Sequence, residues 1–230
     1  MKMIRDTDLL QTQIQQFDMM SLFTSPNGIP FELRCYEQDE LILQEGERMD
    51  AILFLVEGKV KISSSVQTGK ALLLLFCEPF AIMGDIELIQ KVTVQSQVEA
   101  VERVYCVAIP FTYIYDHLIG DPKFLMSLLT HVTYKLQTCT TASRVNLLAS
   151  VENRFASYLL TTLQEENEFG KEIRTNNTQE IADLIGTTSR HLNRVILKLS
   201  DQGLIRKVGD AIQVVDESRL TEISHGLRYE

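Results

Sequence analysis

The chain has 230 residues, 45% of them apolar and 23% charged, with a formal charge of −9. That length fits one large domain or two modest ones, each with its own core, and the composition is that of a folded chain rather than a disordered one. No apolar run approaches the roughly 20 residues of a membrane helix, and the first residues mix charges of both signs where a leader peptide has an apolar centre. A cytoplasmic protein is expected. Four cysteines, at 35, 77, 106 and 139, form no Cys-x-x-Cys and pair with no histidine, which argues against a zinc site or an oxidised scaffold.

Up to about Pro30, Leu9, Leu10, Ile14 and Phe17 recur at helical spacing and read as an irregular helical lead-in, closed by Ser25-Pro26-Asn27-Gly28. From Phe31 to about Pro110 the pattern changes to short β-branched and aliphatic runs broken by turns, at 51–56, 59–63, 71–76 and 104–109. Many short strands of this kind predict a sandwich or barrel, so residues 1–120 form one domain. Asp121-Pro122 opens a segment free of Pro and Gly until Gly170, which reads as one long helix over about 122–149. Leu125, Leu128, Val132, Leu136 and Cys139 form a stripe along it at three-to-four spacing. Either the stripe packs on its own barrel, or the same helix of a second copy covers it by two-fold symmetry; the helix is too long for a small barrel, which favours the second. The domain boundary is expected near 149–151. A helix over 151–166, a turn at 167–170 and a compact segment running to 230 follow.

Asn177 is a good N-cap, and Glu180 stands three residues on, the pairing that satisfies orphan N–H groups at a helix start. Gly186 ends that helix, since glycine reaches positive φ without steric cost. Thr188 or Ser189 then caps a second helix reaching about Ser200. Ile181, Leu184, Ile185, Leu192, Val195, Ile196 and Leu199 form the seam between the two. The outward face carries Arg190 and Arg194 four apart, with His191 and Lys198 beside them. No acid lies between Thr187 and Leu199, so an acidic protein still presents one positive face. Such a face fits a major groove, where arginine pairs with guanine O6 and N7 for roughly 1–3 kcal/mol of discrimination. Lys198 and the hydroxyls of Thr188 and Ser189 suit phosphates, and Thr178 and Gln179 at the first helix start complete the DNA-binding set. A basic face on an isolated helix is more often simply solvated; here the cap, the glycine turn and the hairpin that follows favour DNA. Residues 201–214 read as a turn, a strand, a Gly-Asp turn and a second strand, a wing with Lys207 near its tip.

These residues resemble the Crp/Fnr family of bacterial regulators, whose reading helix has the form Ser-Arg-x-x-x-Arg-x-Leu, followed by a Leu, a Gly or Asn, and Leu-Ile. The chain has Ser189-Arg190-His191-Leu192-Asn193-Arg194-Val195-Ile196, then Asp201-Gln202-Gly203-Leu204-Ile205. His191 replaces the usual acid, so the family's usual half-site is not implied. Gly46 and Phe54-Leu55-Val56-Glu57-Gly58-Lys59-Val60 resemble the barrel strands, and Gly84-Asp85-Ile86-Glu87-Leu88-Ile89 resembles the effector cassette. The Arg-His-Leu run and the cassette are most similar to the YeiL subgroup. The resemblance implies an α+β protein: an N-terminal β-barrel or jelly roll of the cyclic-nucleotide-binding kind, a long dimerisation helix, and a C-terminal winged helix-turn-helix. It implies double-stranded promoter DNA, a second copy of the chain and RNA polymerase as partners. For the effector, a small molecule between barrel and DNA domain, a protein partner at the Met/Phe-rich start, and no effector at all stay open.

Nucleotide-binding members use an acid after the cassette glycine for the ribose, and an Arg-Ser pair further on for the cyclic phosphate. Asp85 fits the first role, but Val94-Gln95-Ser96 stands at the second, with only Lys91 as a nearby basic residue. A cyclic phosphate there would be buried without a counter-charge, a costly state, so cyclic AMP is not expected to bind tightly. Gly84, Asp85, Glu87, Val94, Gln95 and Ser96 are the candidate effector pocket. An iron–sulfur cluster needs about four thiolates, which this cysteine spacing does not provide; each cysteine is read as a small buried residue. His117, His131, His191 and His225 form no constellation for haem. Neither paired carboxylates, a Gly-x-Ser-x-Gly elbow, a phosphate loop nor metal-spaced histidines point to an enzyme. A nucleotide-regulated interaction module would need neither the basic helix nor the wing.

Overall fold

The short aliphatic runs ahead of Pro110, joined by one two-residue strand from much later in the chain, pair into two antiparallel five-stranded sheets. The structure is a computed structural model and describes residues 1–65, 71–163, 171–209 and 211–229. In chain order the strands are β1 (Lys2–Ile4), β2 (Glu32–Tyr36), β3 (Leu41–Leu43), β4 (Ala51–Glu57), β5 (Val60–Ser65), β6 (Ala71–Cys77), β7 (Ile82–Met83), β8 (Gln97–Ala100), β9 (Val104–Pro110) and β10 (Lys171–Glu172). One sheet runs β1-β2-β9-β4-β7, the other β10-β6-β5-β8-β3. In β4 and β9, Ile52 faces Ile109 and Phe54 faces Val107 across the ladder. These four join one apolar cluster, while the alternating Leu53, Leu55, Cys106 and Ala108 join a second. Burial on both faces explains why β4 and β9 are apolar throughout instead of alternating.

The lead-in begins as a strand, which corrects the wholly helical expectation. β1 pairs with β2, Met3 opposite Arg34; three residues are too few to carry a periodic signal. Helix α1 (Thr7–Gln16) follows, its start capped by Asp6, whose carboxylate accepts from the Leu9 N–H at 2.9 Å. Ile14, Met19 and Phe23 then close one end of the first cluster. Two short helices belong to the barrel, α2 (Asp85–Gln90) and α3 (Phe111–Tyr113), the latter running into a π-turn over Ile114–Leu118.

Helix α4 (Pro122–Leu148) starts where Asp121-Pro122 predicts. The Asp121 carboxylate accepts from the N–H groups of Lys123 and Phe124 at 2.9 and 3.2 Å, and from the N–H and hydroxyl of Thr24 at 2.8 and 2.9 Å. One side chain thus caps the helix and ties it to the lead-in. The chain divides into two compact units inside α4: the first holds residues to Tyr134 together with β10, the second starts at Lys135. The division precedes the expected 149–151 because the last turns of α4 belong to the second unit, where Val145 is buried and Asn146 bonds to Leu184.

The second unit contains α5 (Val151–Thr161), α6 (Thr178–Leu184), α7 (Ser189–Asp201), the hairpin strands β11 (Ile205–Val208) and β12 (Ala211–Val214), and α8 (Glu217–Ser224). Helix α5 packs on α7 and α8. It ends at Thr161, not near 166, and the turn expected at 167–170 lies outside the described residues, as does Asp210 of the expected Gly-Asp turn. Helix α8, capped by Asp216, was not anticipated. Among the described residues no helix is long and apolar enough to cross a membrane.

Candidate nucleic-acid interface

Asn177 caps α6 as expected, accepting from the N–H groups of Gln179 and Glu180 at 2.9 and 3.4 Å. The reciprocal half of the cap is made through a third residue. Glu180 accepts from the Thr175 hydroxyl, and the Asn177 N–H donates to that same hydroxyl oxygen at 3.1 Å. At the other end Gly186 has φ +64°, with its N–H on the Asp183 carbonyl and the Thr187 N–H on the Ala182 carbonyl at 3.2 and 2.8 Å. That bonding is a Schellman stop, the turn a helix-turn-helix needs. Thr188, not Ser189, caps α7, accepting from the His191 N–H at 3.3 Å. All seven expected seam residues are buried.

Burial of Leu192, Val195, Ile196 and Leu199 turns the opposite side of α7 outward. Arg190, His191, Asn193, Arg194, Leu197 and Lys198 are exposed there, and among the described residues neither Arg190 nor Arg194 has an ion-pair partner. The Ser189 hydroxyl donates to the Gln179 side-chain oxygen, which sets the starts of α6 and α7 side by side; Gln179 in turn donates to Asp183 at 2.9 Å. Thr178 is half-buried beside them, and Lys207 is exposed on β11. Lys198, half-exposed, has its ammonium ion-paired with Glu152 of α5, a contact the sequence does not signal. Leu197, 64% exposed on the same outward side as the arginines, was not foreseen.

Sequence reasoning missed the side chains that hold this pair in place. The Tyr158 hydroxyl of α5 accepts from the Thr175 N–H at 3.1 Å and donates to the Thr175 carbonyl at 3.2 Å. Asn146 and Arg154 donate to carbonyls 38 and 31 residues away in the chain. Polar groups bonded to distant backbone leave no spacing or composition signal.

In the barrel, Gly84 sits at φ +92° and starts α2, with Asp85 and Glu87 buried behind it. A β-carbon on Gly84 would lie 2.6 and 2.7 Å from the methyl and sulfur of Met49, so that thioether already fills the space over the glycine. Glu87 accepts from the Gln95 N–H at 3.1 Å, and the Gln95 amide donates to the Thr93 carbonyl at 2.6 Å. Val94 is buried and exchanges backbone bonds with Gly46 and Glu47, both at 2.9 Å; Ser96 is half-buried. Nearby, buried Arg34 bonds Asp50 at 2.8 and 3.0 Å and Glu32 at 2.9 and 3.3 Å. Burial pushes the neighbouring Tyr36 phenol up to about 12. Arg34, Tyr36, Met49 and Val94 line a cavity of about 90 Å³, well short of the roughly 300 Å³ at which ordinary ligand pockets begin.

On α4, Leu125, Val132, Leu136 and Cys139 are exposed as a stripe, but Leu128 is not: it is 4% exposed and lies in the barrel cluster with Phe124. Leu129 takes its place, giving the spacing 125, 129, 132, 136, 139 of an alternating four-three seam. Cys35, Cys77 and Cys106 are buried as expected, whereas Cys139 is exposed, a correction that follows from its place on this stripe.

A model of the cyclic nucleotide-binding domain matches residues 33–118, and one of the Crp-like helix-turn-helix domain matches residues 153–223. The chain is 25% identical over 185 residues to the regulatory protein YeiL of Escherichia coli O157:H7, over 80% of this chain and 82% of that one. It is 24% identical over 186 residues to the cAMP-activated global transcriptional regulator CRP of Salmonella typhimurium, over 78% and 87%. A CRP/FNR-family transcriptional regulator of Thermus thermophilus superposes with a TM-score of 0.66 at 24% identity, over 85% of this chain and 100% of that one. FixK2 of Bradyrhizobium japonicum superposes at 0.68 with 19% identity, over 85% and 96%. With barrel and reading helices both matched, in that order along one chain, the protein belongs to the Crp/Fnr family of DNA-binding transcription regulators.

Proposed function

We propose that two copies of the chain associate along α4 and read a pseudo-palindromic promoter site, Arg190 and Arg194 of each copy entering major grooves about 34 Å apart. The observation that carries this reading is the outward face of α7, two exposed arginines on a helix whose start is fixed by Thr188. The uncovered four-three stripe on α4 supports association side by side. Selection of duplexes from a random pool by the full-length protein tests it. The expected product is a two-fold symmetric site with half-sites one turn apart, on which Arg190→Ala and Arg194→Ala each cost roughly 1–3 kcal/mol at particular bases. Uniform weakening across all sequences reassigns that arginine to phosphate. A monomer that prefers no duplex at moderate salt ends the reading.

Loss of the cyclic-phosphate site is part of the proposal. Gln95 stands where a basic residue would be needed, its N–H already serves Glu87, and Met49 fills the space over Gly84. These residues do not fit a buried cyclic phosphate, so cyclic AMP binds weakly at best; sub-micromolar affinity by calorimetry overturns this. Cys35, Cys77 and Cys106 are buried with Cys139 exposed on α4, an arrangement that falls short of the about four thiolates an iron–sulfur cluster needs at one place. The regulator acts in the cytoplasm, with RNA polymerase as its partner at the promoter. Likeness to YeiL over most of both chains supports placing it with that subgroup.

A further inference from the structure

Three successive carbonyls at the end of α6 are held by side chains from earlier helices. The Asn146 amide of α4 donates to the Leu184 carbonyl at 3.2 Å, and the Arg154 guanidinium of α5 donates to those of Ile185 and Gly186 at 2.6 and 3.1 Å. A helix end leaves four carbonyls without intrahelical partners; the Schellman stop uses carbonyls further back, so these side chains serve what remains. Asn146 is itself fixed. Its amide oxygen accepts from the Tyr229 hydroxyl at 2.8 Å, and the buried Tyr229 donates its N–H to the Thr161 hydroxyl of α5 at 3.1 Å. With its oxygen facing a hydroxyl donor and its nitrogen a carbonyl, the amide has one satisfying orientation.

We propose that Asn146, Arg154 and Tyr229 are positioning residues, a clamp that sets the angle at which α7 leaves Gly186 and thereby aims Arg190 and Arg194. At 1.5 Å of rise per residue, Arg194 lies about 12 Å along from the turn, so a tilt of about 5° there shifts it by about 1 Å. Bidentate base pairing tolerates about 0.5 Å. Attraction to phosphates extends over a Debye length of about 8–10 Å and is indifferent to such a shift. Loss of the clamp therefore lowers discrimination between duplexes and leaves general affinity for DNA in place.

The inference rests on α7 as the base-reading helix. Its test uses the full chain, a duplex selected by the wild type and a scrambled duplex of equal length, with anisotropy at one salt concentration. A wild type that does not distinguish the two sinks the base-reading assignment; a wild type that does, with variants that keep its preference, sinks the clamp alone. Asn146→Leu and Arg154→Met are expected to lower the ratio of the two affinities about tenfold, with scrambled-duplex binding within about twofold of wild type. Arg154→Lys, which keeps a donor and the charge, recovers part of that ratio. If either variant unfolds by circular dichroism, Tyr229→Phe decides, since it removes one hydroxyl only. A fall of about threefold is expected from it, and an unchanged ratio overturns the proposal.

Discussion

The guanidinium of Arg154 stands 3.2 Å from where a β-carbon on Gly186 would lie. Gly186 thus answers two demands, the positive φ of the turn and room for the arginine that binds its carbonyl. Gly203 has φ +74° and nothing within 4 Å of its β-carbon position, so it meets only the first. Gly203→Ala should therefore cost about 1–2 kcal/mol in urea denaturation, the backbone penalty alone. Gly186→Ala should cost more, about 1.5–3 kcal/mol, because the end of the Arg154 side chain must also give by a few tenths of an ångström, which weakens its hydrogen bonds. Equal losses would mean that the arginine contact contributes nothing.

Lys198 is ion-paired with Glu152, a contact that competes with phosphate for its ammonium. Lys198→Ala should leave the slope of log affinity against log salt unchanged, whereas Lys207→Ala lowers it by about one. Glu152→Gln releases the Lys198 ammonium and should steepen the slope by about one. Titrating binding with salt for the three variants checks this; a shallower slope for Lys198→Ala returns that residue to the DNA contacts.

The four cysteines should separate by environment. Burial pushes the Cys106 thiol far above its ordinary range, where the reactive thiolate is scarce, while Cys139 is exposed. Native protein at pH 8 should yield its first labelled thiol at Cys139 and none at Cys106 until denaturant is added. Mild oxidation should link two chains through Cys139, since facing positions of paired helices approach within disulfide reach. Cys139→Ser should abolish the linked species, and a wild type that never links counts against pairing along α4.

Hydrogen bonds from Arg34 hold the Asp50 carboxyl below its usual range, against the opposing effect of partial burial. A depressed folded value gives stability that is present above the ordinary aspartate value of about 3.9 and disappears as pH falls through the lower folded one. The Asp50 side chain is 75% exposed, so solvent screens the pair and the gain at pH 6 is about 1 kcal/mol at most. Asp50→Asn should be less stable than wild type at pH 6, by a margin that shrinks as pH falls below about 3.9 and is gone once pH is well below the lowered folded value, as measured by urea midpoints. A difference that persists at the lower pH would exclude this origin.

Local signals carried most of the fold. The cap at Asn177, the stop at Gly186 and the seam from Ile181 to Leu199 are all written within a few residues of where they act. What was illegible depends on partners remote in the chain. Leu128 and Leu129 both suit a helical stripe by spacing, and only the barrel, by burying Leu128, decides between them. The charge of Lys198 could be read, but not that Glu152, 46 residues earlier, neutralises it. Asn146 and Tyr229 belong to no motif, since a hydrogen bond across 83 residues leaves no periodicity.

In the proposed pair, covering Leu129 and Leu136, each more than half exposed on a single chain, ties melting to mass action. A helix that finds its cover only on another molecule unfolds with an equilibrium that includes dissociation. Dilution should then lower the thermal midpoint of the full-length protein, and the temperature at which it melts in a cell would follow its abundance there.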